Sequence, residues 1–130
     1  MTKIPTDLEI LDLIFESYYK PFAEIPQNER SAFISIDIKE ISRKLGVDPD
    51  IVFGRLYHWL EKKHGVGDSH FFSLSVGSKK NAVNFPMLSS ILADLRRSRR
   101  TETTALVLSI ISIVISLLSF VTALFLSKST

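Results

Sequence analysis

The residues of this chain best suited to chemistry are three histidines, His58, His64 and His70. Imidazole can move protons near neutral pH and can ligate metals. The spacing serves neither role. His58 and His64 stand six apart, which does not place them on one helix face. The chain has no Cys, and no carboxylate stands at HExxH-type spacing. Asp68-Ser69-His70 brings the three residue types of an acyl-transfer triad side by side, but a triad is defined by roles in space. Gly65-Val66-Gly67 and Gly77 lack a phosphate-loop pattern. The expectation is a protein that is not an enzyme, with no metal, no cofactor and no small-molecule substrate.

Charge is the next feature. The net charge is +2, yet residues 1–95 carry 11 Lys and Arg against 13 Asp and Glu, a balance of −2. The basic excess comes from one cluster, Arg96, Arg97, Arg99 and Arg100. It lies just before Ala105–Leu126, 22 residues without charge, Gly or Pro, of which 15 are Leu, Ile, Val or Phe. As a helix this segment runs roughly 33 Å, enough for a hydrocarbon core of about 30 Å. A buried core helix is the competing reading, and 130 residues leave little structure to surround one. Four arginines before the segment and only Lys128 after it place the N-terminal side in the cytoplasm by the positive-inside rule. The first seven residues, Met1 to Asp7, have no apolar core and do not read as a secretory signal. The arginines serve either to set topology or to attract anionic lipid headgroups.

Small residues in this segment are patterned. Ala105, Ser109, Ser112, Ser116, Ser119 and Ala123 follow steps of 4, 3, 4, 3 and 4, so all six share one helix face. Such a stripe lets two helices approach closely and exchange hydrogen bonds, which points to self-association or another membrane protein. The plainer reading is that each serine bonds the carbonyl four residues before it.

The elements that carry these residues read as follows. Thr6-Asp7-Leu8-Glu9 is a capping box opening a helix with Leu8, Leu11, Phe15 and Tyr18 on its inner side, which stops before Pro21. Ala32–Ile36 is a short strand. Asp37 and Glu40 cap a second helix, with Ile38, Ile41 and Leu45 inside and Gly46 as its stop. Asp48-Pro49 opens a third, ending at Gly65, with Val52, Leu56, Trp59 and Leu60 on its core face. Phe71–Val76 is a strand, Gly77–Asn81 a turn and Ala82–Phe85 the return strand. Pro86 opens a fourth helix through Leu88, Ile91, Leu92 and Leu95. Domain limits follow: 1–95 a compact domain, 96–104 a basic juxtamembrane linker, 105–126 the membrane helix and 127–130 a short tail. Trp59, Phe15, Tyr18, Phe72 and Phe85 are expected to be core packing.

The fold class is mainly α with a small β-wing. The order helix, strand, helix, turn, helix, two-stranded wing resembles the winged helix-turn-helix superfamily. The segment IKEISRKLGVDPDIVFGRLYHWLEKKHG, residues 38–65, carries most of the likeness through Ser42, the Leu45-Gly46-Val47 turn and the positions Val52, Leu56 and Leu60. The resemblance covers roughly residues 6–95 and implies DNA contact from the third helix and the wing. Here the leading positions of that helix are Asp48, Pro49, Asp50, Phe53, Gly54 and Tyr57, with none of the usual base readers among them. Arg55, Lys79 and Lys80 remain as nucleic-acid contacts. Phe53 and Tyr57, one turn apart and off the core face, read either as a protein-contact surface or as a pair covered by the fourth helix or the first loop.

Three functions follow in order. The first is a tail-anchored, single-pass membrane protein whose cytoplasmic winged-helix-like domain is a protein-interaction or signalling module, dimeric through its membrane helix. The second is a membrane-tethered DNA-binding regulator. The third is a small membrane-active protein of toxin or phage type.

Overall fold

The computed structural model describes residues 3–128. Met1 and Thr2 of the expected domain, and Ser129 and Thr130 of the expected tail, lie outside the described residues. The chain divides into two compact units, one ending at Asp94 and the other beginning at Leu95.

The first unit is built from locally specified pieces. Helix α1 spans Asp7–Glu24. The Thr6 hydroxyl accepts from the Glu9 amide at 3.1 Å, and the Glu9 carboxylate accepts from the Thr6 amide at 3.3 Å, which completes the capping box. The Thr6 amide, then the Lys3 ammonium, hold the Glu9 carboxyl below its ordinary range. α1 does not stop before Pro21 but runs through it. A proline in the last turn removes one backbone bond, and distant groups hold the end in place. The Arg30 guanidinium donates to the carbonyls of Ala23 at 3.1 Å and Ile25 at 2.8 Å, and lies 4.7 Å over the Phe22 ring. Phe22 in turn packs against Phe85 with ring centres 4.7 Å apart.

Strand β1 is Phe33–Ser35 and helix α2 is Ile38–Leu45. Asp37 caps α2 by accepting from the Glu40 amide at 3.2 Å, and Gly46 ends it at φ 71, in the left-handed region that favours glycine. Helix α3, Pro49–Gly54, is capped by Asp48, whose carboxylate accepts from the Asp50 amide at 2.8 Å. A wider π-helical turn, Arg55–Leu60, follows, and then α4, Glu61–His64. Strands β2, Phe72–Val76, and β3, Lys79–Asn84, form a hairpin, and β3 lies centrally in an antiparallel sheet of order β1-β3-β2. The turn is Gly77-Ser78 alone, shorter than expected. Val76 pairs with Lys79, and Gly77 at φ 59 supplies the positive dihedral that a two-residue turn needs.

The core joins Ile10, Leu11 and Ile14 of α1 to Ile38 and Ile41 of α2. Val52, Leu56 and Leu60 meet them, closed by Phe71, Phe72, Ala82, Val83, Phe85, Leu88 and Leu92. Phe15 and Tyr18 are only half-buried, and the Tyr18 hydroxyl accepts from the Asp37 amide at 2.8 Å.

Helix α5 spans Phe85–Lys128, its opening stabilised by Asn84, which accepts from the Met87 amide at 3.2 Å. Residues 96–104 hold no helix breaker and are helical, so α5 runs through the basic juxtamembrane segment without a break. Among the described residues α5 is the one helix long and apolar enough to cross a membrane, with mean hydropathy 2.6 over its apolar window and none of that window buried. From Leu106 to Leu126 the large side chains stand 48–75% exposed, so the rest of this chain does not bury them as it would a core helix.

Candidate functional site

The third-helix region was expected to present Trp59 to the core. Trp59 is instead 54% exposed. Where the Glu61 amide reaches back five residues to the Leu56 carbonyl, the turn is wider than in an α-helix. Leu56 and Leu60 stay on one face in such a turn, while a residue three on from Leu56 moves about a quarter turn away from it. On the outside, Trp59 meets α1. Its indole N–H donates to Asp7 Oδ2 at 3.3 Å, and the Arg55 guanidinium pairs with Asp7 Oδ1 at 2.7 Å. Arg55 is thus engaged within the fold, with its side chain 22% exposed. Sequence reasoning missed Asp7, because its partners lie 48 and 52 residues away.

Phe53 and Tyr57 stack on one another with ring centres 5.4 Å apart. Phe53 is half-buried and Tyr57 is 37% exposed. Phe72 of β2 backs both rings edge-on, at 5.9 and 6.4 Å, and His58 packs against them from the side. Beside this pair a groove of about 510 Å³ runs between the π turn and β2, bounded by Tyr57, Lys62, His70 and Leu74. One wall is fixed by Glu61, whose carboxylate accepts from the amides of Phe71 at 2.6 Å and Phe72 at 2.8 Å and meets His70 Nδ1 at 2.7 Å. Three hydrogen bonds on one carboxylate fasten α4 to the hairpin. Gly65 is required close by, since a Cβ there would lie 2.6 Å from the Glu61 carbonyl oxygen.

A second groove, of about 660 Å³, is more apolar and is bounded by Ile4, Pro5, Val47 and Ile51 with Lys3 and Arg43 near its rim. Ile4 is 74% exposed and Ile51 48%.

The remaining expected contacts are separated. Lys79 donates to the Phe33 carbonyl at 2.7 Å, which ties β3 to β1, while Lys80 is exposed. The histidines do not converge: His58 lies by Phe53, His70 on Glu61, and His64 near Phe71. Partial burial, then the Lys63 charge, lower the His64 pKa from its ordinary value.

On α5 the hydroxyls of Thr101, Thr103 and Thr122 donate to the carbonyls of Arg97, Arg99 and Leu118 at 3.0, 3.0 and 2.9 Å. Among the described residues no such bond engages Ser109, Ser112, Ser116 or Ser119, which stand exposed.

No protein family, curated protein or solved structure matches the chain.

Proposed function

We propose that this chain is a single-pass membrane protein. Its N-terminal unit is a winged-helix-like interaction or signalling module, held at the cytoplasmic surface and paired with a second copy through α5. One observation carries this reading. The uncharged stretch Ala105–Leu126 is helical, and none of its apolar window is buried. Fifteen large apolar side chains facing outward are stable in hydrocarbon and not in water. The four arginines on the N-terminal flank support the cytoplasmic side for the first unit.

Pairing is supported by the serine face. Hydroxyls that are not bonded to their own helix are free to bond across to another, and small side chains allow that approach. The winged-helix reading rests on the order of elements up to the hairpin and α5. Protein contact is favoured over DNA because Arg55 and Lys79 are already engaged, and the unit's charge balance is −2. The aromatic pair Phe53 and Tyr57 is the surface offered.

Energy transfer between labelled full-length copies, diluted in vesicles, tests the pairing. Ser112→Leu with Ser116→Leu should lower transfer severalfold, and unchanged transfer would remove the serine face from the argument. Titration of the full chain in detergent with duplex DNA tests the competing regulator. Salt-dependent binding there would favour it, and no binding at low salt would exclude it.

A further inference from the structure

Topology signals depend on how many arginines flank a span, and not on which side of the helix they occupy. The helical state of residues 96–104 gives these arginines a side. At 3.6 residues per turn, Arg99, Arg96, Arg100 and Arg97 fall within an arc of about 160°. Glu102, the acid nearest them in the second unit, lies roughly 140° from the centre of that arc. Followed down the same helix, the face of Ala105, Ser109, Ser112, Ser116, Ser119 and Ala123 is centred roughly 160° from the arc, nearly opposite it. All four arginines are exposed.

We propose that Arg96, Arg97, Arg99 and Arg100 form a one-sided binding face for anionic phospholipid headgroups, turned away from the serine face. This inference rests on the membrane reading above and assigns the cluster a ligand beyond topology. Depth fits the ligand. At 1.5 Å rise the arginines stand about 8–14 Å before Ala105. A headgroup layer is about 5–7 Å thick, and charges act over a Debye length of about 8–10 Å. Guanidinium groups match phosphate by bidentate hydrogen bonding, which favours lipid phosphates as the partner. Segregation matters equally. Were the arginines on the serine face, pairing would set the basic clusters of the two copies against each other, whereas on the opposite side they face lipid.

The experiment uses the full chain in vesicles of phosphatidylcholine with spin-labelled phosphatidylglycerol or phosphatidylcholine as the probe lipid. Flotation first reports whether the chain resides in the membrane, so a failure of the membrane reading is seen separately. The natural chain should hold phosphatidylglycerol severalfold more strongly than phosphatidylcholine, less so at high salt. The variant R96Q/R97Q/R99Q/R100Q should float and lose that preference. The variant R96Q/S98R/R100Q/T101R keeps four arginines at similar depth but swings their centre by roughly 140° toward the serine side. It should lose at least half of the preference and also weaken pairing. A floating natural chain with no preference would overturn the proposal. So would a shifted variant that keeps both preference and pairing, since that result leaves only net charge.

Discussion

The two units use the same apolar residues in opposite ways. In the first, Ile10, Leu11, Ile14, Leu56 and Leu60 are fully buried, and the large apolar side chains left exposed, such as Ile4, Ile51, Trp59 and Val66, are scattered along the chain. In the second, Leu, Ile, Val and Phe point outward along the whole apolar stretch. The first unit is therefore stabilised by its own packing, and the second by its surroundings. Damage to one should leave the other intact, and substitutions can test that separation.

The largest effect is expected in the span. Ile113→Arg with Ile115→Arg places two charges at mid-helix, each opposing insertion by about 2.5–3.5 kcal/mol. The chain should leave the carbonate-resistant membrane fraction, while thermal unfolding of the first unit stays unchanged. Leu56→Ala reverses the pattern. It empties a fully buried site, destabilises the first unit by about 2–5 kcal/mol, and leaves membrane residence alone. The only tryptophan, Trp59, reports that unfolding by fluorescence.

Glu61→Ala comes next. It strands the amides of Phe71 and Phe72, and denaturant unfolding should show a loss of about 1–3 kcal/mol. Asp7→Asn should cost about 1 kcal/mol, because the pair with Arg55 is only partly screened from solvent. It should also shift Trp59 emission.

The smallest effect is on pH. His64 resists protonation in the folded unit, chiefly through partial burial, so the unfolded chain takes up the proton first. Stability should fall slightly as pH drops below the ordinary histidine value of about 6.5, and His64→Gln should flatten that decline.

Features specified by neighbouring residues were legible in the sequence. Thr6, Asp37 and Asp48 are caps, Gly46 is a stop, and the apolar stretch of α5 is a single uninterrupted run. Features specified by distant partners were not. Pro21 reads as a helix end because Arg30, nine residues on, is not visible as the group that holds the last turn. Trp59 reads as core because α-helical periodicity is assumed where the backbone makes a π turn. The engagement of Arg55 and Lys79 likewise depends on contacts 48 and 46 residues away. Those contacts changed the candidate site most, since they occupy two of the three cations expected to meet nucleic acid.

The central claim is that α5 crosses a bilayer with the first unit on the arginine side. The absence of cysteine makes this directly measurable. Ser78→Cys in the hairpin turn and Ser127→Cys at the far end of α5 can each be labelled in intact cells by a membrane-impermeant maleimide. Ser127→Cys should label from outside, and Ser78→Cys only after the membrane is opened. Labelling of both positions from the same side would contradict the span.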